Sequence, residues 1–113
     1  MSGISSHVLD TSRGRPASGV RVALEIRVGD RWQGLGSAAA DSNGRVAQLL
    51  PAGAALAAGI YRLSFDTGGY FRSQGVEPFF PQVVVVFEVR DPDQHYHVPL
   101  LLSPFGYSTY RGS

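Results

Sequence analysis

The segment VRVALEIRV, residues 20–28, indicates the architecture expected for this 113-residue chain. Apolar side chains recur at every second position, and charged or small ones fall between them. The apolar set is Val20, Val22, Leu24, Ile26 and Val28. A period of two is typical of a β-strand that buries one face against a core.

Further strand-like segments lie on both sides of this one, separated by turn-forming residues. They cover residues 4–10, 32–38, 44–48, 60–66, 82–89, 95–102 and 105–111. The last two predict the arms of a hairpin around Ser103-Pro104, and the apolar run at 82–89 predicts a strand buried on both faces. About eight short, closely spaced strands favour an all-β sandwich. Residues 69–74 are expected to form one short helix.

Composition limits the classes of function. A chain of 113 residues predicts one domain spanning 1–113, and 43% hydrophobic residues predict a folded core. The ten basic residues are all arginine, scattered along the chain, with a net charge of +1. This argues against nucleic acid or a membrane surface as partner. The chain has no cysteine and no secretory or membrane-spanning pattern, so we expect a soluble, cytoplasmic protein.

Three histidines are candidates for chemistry: His7, His95 and His97. His95 and His97 are two residues apart on a predicted strand and therefore share a face. Three histidines and a water could form a zinc site, but no carboxylate or supporting shell is evident. Without a metal, two histidines could activate a water, because an imidazole can both take and give a proton at neutral pH. Solvated or core-satisfied histidines are the third interpretation, which spacing alone favours.

Two further features suggest a site. Arg45, just after the turn SNG, could bind a planar anion through its fixed donors. On the last strand, Gly106, Ser108 and Tyr110 share one face that is small and polar up to the tyrosine. Such a face would leave holes in a core, so it predicts a cleft or a subunit interface.

Four motifs resemble the transthyretin-like 5-hydroxyisourate hydrolases. They are HVLDTSRGRPASGV, SNGRV, GIYRLSFDT and HYHVPLLLSPFGYSTYRGS. The resemblance runs from about residue 4 to the last residue, and the tetrapeptide YRGS separates the enzymes from the transthyretin hormone carriers. It implies a transthyretin-like (prealbumin-like) β-sandwich of two four-stranded sheets with one short helix. It also implies a homotetramer, a dimer of dimers, with active sites at the dimer–dimer interface.

The resemblance further implies an activity and its residues. The substrate would be 5-hydroxyisourate, opened by water to 2-oxo-4-hydroxy-4-carboxy-5-ureidoimidazoline during urate degradation, with no metal or cofactor. The catalytic residues would be His7, Arg45, His97 and Ser113. Substrate binding would fall to His7, Arg45, Ser108, Tyr110, Arg111 and Gly112. His95 lies outside the expected site, because the motif places the essential histidine just before V-P-L-L.

The expected mechanism assigns water activation and proton donation jointly to His7 and His97, with Arg45 stabilising negative charge. Deletion of residues 110–113 is expected to leave the fold intact and abolish turnover.

The sequence leaves two other classes of function open. One is a transthyretin-like carrier of a small aromatic ligand, and the other is a plain β-sandwich interaction module.

Overall fold

The computed structural model describes residues 3–113, which form nine β-strands and one short α-helix. The elements are β1 (Gly3–Asp10), β2 (Arg15–Pro16), β3 (Arg21–Val28), β4 (Arg31–Ala39), β5 (Arg45–Val46), β6 (Gly59–Phe65), α1 (Thr67–Arg72), β7 (Val83–Val89), β8 (His95–Ser103) and β9 (Gly106–Thr109). The predicted strands are all present, although β5 and β9 are shorter than expected. The helix begins two residues before its predicted start, because Asp66 caps it by accepting a hydrogen bond from Gly69 N at 3.0 Å.

The strands form two sheets. One has the order β4-β3-β6-β7, and the other has the order β2-β1-β8-β9 with β5 also paired to β1. Because β8 pairs along all of β1, the two-residue strands β2 and β5 share the opposite edge of β1, end to end. The predicted sandwich of two sheets with one short helix is therefore confirmed, although one sheet has five strands instead of the expected four.

The alternating pattern of β3 places the core as predicted. Val22 and Leu24 are buried, whereas Val28 is exposed because it lies next to the hairpin turn at Gly29. On β6 the buried residues are Tyr61, Leu63 and Phe65. The facing sheet contributes Ile4, Val8, Leu100 and Leu102 to the same core.

Strand β7 differs from its prediction. It pairs only with β6 among the described elements, so it is an edge strand. Val84 and Val86 point outward and are 39% and 58% exposed. The expectation of a strand buried on both faces is therefore wrong for the single chain. One face of β7 is therefore apolar but is not covered by other residues of 3–113.

The parallel pairing of β1 with β8 fixes which side chains meet. Ser5 lies opposite His97, and His7 lies opposite Pro99. The next strand continues this face, because Leu101 pairs with Ser108. The other face of β1 is turned to the core, where Ile4 and Val8 are fully buried. Among residues 3–113, no helix has the length and apolarity needed to cross a membrane.

Candidate active site

The outer face of the β1–β8 sheet collects most of the residues predicted for the site. Strand pairing puts His7 beside Arg45 of β5 and puts Ser5 beside His97 of β8. Directly opposed residues of neighbouring strands project from the same face. These four side chains therefore share one face of one sheet, although they come from three separate parts of the sequence.

A tight turn at residues 41–44 sets the position of Arg45. The carboxylate of Asp41 accepts hydrogen bonds from Asn43 N at 2.8 Å and from Arg45 N at 2.9 Å. These two backbone bonds, led by that of Arg45, lower the pKa of Asp41 below its ordinary value. Gly44 adopts a φ of 77°, and a Cβ there would lie 2.3 Å from the Val8 carbonyl oxygen. The turn formed by the SNG sequence thus places Arg45 beside the edge of β1.

The resulting cleft has a volume of about 350 Å³. Its polar lining includes Ser5, Asp41, Arg45, His95, His97 and Ser113. The ion pairs of the described residues do not involve Arg45. Its guanidinium is therefore available to a planar, oxygen-rich ligand. His7 does not line this cleft, and it lies at the edge through its pairing with Arg45.

The surroundings of His97 favour its neutral form. Its partial burial, followed by the charges of His7, His95 and Arg45, lowers the pKa of His97 from its ordinary 6.5. Its Nδ1 lies 2.8 Å from Ser5 Oγ. Nε2 of His97 makes no hydrogen bond within residues 3–113. Every fully buried side-chain nitrogen and oxygen in these residues has a partner, so Nε2 is not fully buried. Nε2 is therefore open to the cleft and can accept a proton from water.

His7 has a defined tautomer. Its Nε2 lies 2.9 Å from the backbone carbonyl oxygen of Asn43. A carbonyl oxygen only accepts, so Nε2 carries the hydrogen and Nδ1 holds the lone pair of the neutral ring. Since Asn43 belongs to the turn that places Arg45, the same turn orients both residues.

The C-terminal segment packs directly on His97. Gly112 N donates a hydrogen bond to the His97 carbonyl oxygen at 2.8 Å. A Cβ on Gly112 would lie 2.6 Å from His97 Cδ2, so the glycine backbone itself forms a wall against the imidazole. This contact brings Ser113 to the cleft.

The other residues of the predicted site lie elsewhere in the single chain. Tyr110 and Arg111 line a groove of about 230 Å³ that is also lined by residues of β7. Arg111 is held there by Gln94 Oε1 at 2.8 Å and by the Tyr96 ring, whose centroid lies 4.5 Å from its guanidinium carbon. Ser108 lines a separate cleft with Leu101 on the outer face. The structure therefore does not bring these three residues together with His97.

Three side chains of this cleft were not among the predicted site residues. Ser5 contacts both His95 and His97, and Asp41 orients Arg45. His95 lines the cleft although the motif placed it outside the site. Its spacing of two from His97 was the available signal. Nothing in the sequence reveals that Ser5 faces them, since that depends on the register of β1 against β8. Among residues 3–113, no three His, Cys, Asp or Glu side chains are grouped to hold a metal ion.

Comparison with known proteins gives consistent matches. The HIUase/Transthyretin family model matches residues 4–112. A probable 5-hydroxyisourate hydrolase of Caenorhabditis elegans is 52% identical over 110 residues, covering 97% of this chain and 81% of the relative. The solved 5-hydroxyisourate hydrolase of Klebsiella pneumoniae is 39% identical with a TM-score of 0.87, covering 99% of this chain and 100% of that one. Transthyretin from Sparus aurata is 32% identical with a TM-score of 0.90, covering 99% of this chain and 97% of that one.

Proposed function

Because the chain belongs to the HIUase/transthyretin family, we propose that it is an enzyme that hydrolyses 5-hydroxyisourate in urate degradation. The observation that carries the proposal is the convergence of His7, Arg45 and His97 on one sheet face, next to a cleft with an open imidazole nitrogen. The identity of the substrate is inferred from similarity to the two hydrolases reported above.

The reaction needs an activated water and a proton for the leaving nitrogen. The water oxygen bonds to the C6 carbonyl carbon of the ring, and the N1–C6 bond then breaks. C6 becomes a carboxylate, N1 gains a proton, and the product is 2-oxo-4-hydroxy-4-carboxy-5-ureidoimidazoline. A proton must therefore be accepted from water and a proton must be delivered to N1, by one group in turn or by two groups.

We assign the general base to His97. Its lowered pKa keeps the ring neutral at pH 7, and its Nε2 faces the cleft without a protein partner. His7, across the sheet face, is assigned the proton donation to N1. The donating form is its imidazolium, in which the Nε2 hydrogen stays on the Asn43 carbonyl oxygen and the Nδ1 hydrogen is transferred to N1. A base and an acid on adjacent strands can serve the two sides of one ring amide.

Arg45 is assigned the stabilisation of the negative charge that develops on the C6 oxygen. A preorganised cation beside the attacked carbonyl stabilises the tetrahedral intermediate more than the planar ground state. The Asp41 carboxylate binds the Arg45 backbone rather than its guanidinium, so the cation is oriented without an ion pair to its own turn. Ser113 is proposed to complete the pocket wall, and Ser108, Tyr110, Arg111 and Gly112 are retained as predicted substrate-binding residues.

We further propose a homotetramer, a dimer of dimers, with its active sites where the dimers meet. Strands β7 and β9 are the edges of their sheets on one side of the sandwich, so their outer backbone groups can pair with a second copy. Val86 is 58% exposed there, and Tyr110 in the adjoining groove is 57% exposed. A second copy would cover this apolar edge.

The test is the absorbance decay of freshly generated 5-hydroxyisourate, with spontaneous decay as the baseline. The wild-type chain should accelerate the decay, and His97→Ala should lose about 10²- to 10⁴-fold in kcat. If the wild type gives no acceleration and instead binds a small aromatic ligand saturably, the chain is a carrier and the proposal fails. If His97→Ala keeps full activity, the enzyme assignment survives and the choice of base is wrong.

A further inference from the structure

Ser5 lies between two histidines of the cleft. Its Oγ is 2.7 Å from His95 Nε2 and 2.8 Å from His97 Nδ1, and the residue is 8% exposed. The strand register explains the geometry, since Ser5 is paired with His97 and Gly3 is paired with His95. Gly3 has no side chain, and Ser5 is the β1 residue whose side chain reaches both histidines.

The serine hydroxyl carries a single hydrogen, so the two bonds cannot both be donated by it. With both rings neutral, Oγ could accept from both imidazoles, but its own hydrogen would then have no acceptor, because Oγ has no third partner among residues 3–113. In the two arrangements that use this hydrogen, one imidazole donates to Oγ and the other accepts from it. In the first arrangement His97 Nδ1–H donates to Ser5, and Ser5 donates to His95 Nε2. In the second, His95 Nε2–H donates to Ser5, and Ser5 donates to His97 Nδ1.

The two arrangements have opposite consequences for His97. In the first, its hydrogen sits on Nδ1, and the lone pair of Nε2 faces the cleft. In the second, Nε2 carries the hydrogen and cannot accept a proton from water. A base in the wrong tautomer is inactive even when its ring position is unchanged.

We propose that Ser5 is a positioning residue that, with His95 as the acceptor of its hydrogen, holds His97 in the tautomer with a free Nε2. The role of His97 as base rests on the proposed function, whereas the hydrogen-bonded chain itself does not. His95, which the motif left outside the site, thereby acts on the reaction through Ser5 rather than by touching substrate.

The experiment combines ¹⁵N NMR of histidine-labelled protein, at a pH where His97 is neutral, with steady-state kinetics. In wild type, Nδ1 of His97 should show the shift of a protonated ring nitrogen and Nε2 that of an unprotonated one. Ser5→Ala should mix the two tautomers and lower kcat about 10- to 100-fold, with a smaller change in KM. Ser5→Thr restores the hydroxyl and should recover both the spectrum and kcat.

Two further variants separate this role from a structural one. Ser6→Ala removes the neighbouring hydroxyl, which donates to the Val98 carbonyl oxygen at 2.8 Å on the core side. It should lower the melting temperature and leave the His97 tautomer unchanged. His95→Phe keeps a ring and removes the acceptor, so Ser5 can donate to His97 and the tautomer should shift as in Ser5→Ala.

Distinct results overturn the two proposals. A wild type without turnover removes the proposed function, while the tautomer can still be read from the spectrum. A wild type with turnover whose His97 carries its hydrogen on Nε2 overturns the role of Ser5. The same holds if folded Ser5→Ala retains wild-type kcat and an unchanged spectrum.

Discussion

The backbone of Gly112 touches the imidazole of His97 so closely that a methyl group does not fit between them. A Cβ would lie 2.6 Å from Cδ2 of His97 and 3.4 Å from Cγ of Pro99. The His97 ring is also tied to Ser5 on β1, so it cannot move away without losing that bond. We therefore predict that Gly112→Ala lowers kcat about 10-fold or more by displacing the base, while the sandwich stays folded.

The matched control for this substitution is Gly34→Ala. Gly34 lies on β4, and a Cβ there would meet nothing within 4 Å. Both variants add one methyl group to a strand-like segment, so any general effect of alanine is shared. Circular dichroism and the decay assay should show two folded proteins, of which only Gly112→Ala is impaired. Equal activity of the two variants would mean that the contact at Gly112 does not position His97.

The lowered pKa of His97 predicts the acid limb of the pH profile. A base must be neutral, and burial with neighbouring cationic groups favours the neutral ring. The kcat/KM should therefore stay high as pH falls through 6.5, and decline only at the lower pKa of His97. The measurement is kcat/KM against pH, corrected for spontaneous decay at each pH. An acid limb above 6.5 would contradict this assignment of the base.

At the level of elements, the turn at residues 41–44 joins sequence to site most directly. Asp41 Oδ1 accepts from the backbone N–H groups of Asn43 and Arg45. We predict that Asp41→Ala lowers kcat/KM about 2- to 10-fold, because Arg45 and the His7 partner Asn43 each lose the hydrogen bond that fixes their position. Asp41→Asn keeps the accepting oxygen and should remain near wild type. If both variants lose activity equally, the charge of Asp41 matters rather than the turn.

The elements also show what a single sequence can reveal. The alternation in residues 20–28 and the turn residues predicted the strands, because both depend on neighbours along the chain. The edge position of β7 was not predicted, since the valine run reads alike in a central strand and in an edge covered by another copy. The candidate site shows the same division between local and long-range information. The resemblance assigned His7, Arg45 and His97 to the site, whereas the contact of Ser5 with His95 and His97 depends on the β1–β8 register, which no local pattern encodes.

For the whole molecule, the shape of the sandwich does not separate the two functions found in the family. The chain matches the transthyretin of Sparus aurata at a TM-score of 0.90 and the Klebsiella pneumoniae hydrolase at 0.87. The chemistry therefore depends on the side chains of one sheet face rather than on the architecture.

Assembly can be tested at the β7 edge. Val86 is 58% exposed there, and Val28 at the β3–β4 hairpin is 56% exposed. If β7 edges pair in the tetramer, Val86→Arg places a charge in a buried apolar contact and should weaken association at least about 10-fold. Val28→Arg makes the same change at equal exposure on another part of the sandwich and should leave the assembly intact. Sedimentation velocity over a concentration series measures the association of both variants.

The same variant tests the location of the active sites. Because these sites are proposed to lie between dimers, kcat of Val86→Arg should fall with dilution. A fully active monomer would contradict the tetrameric site.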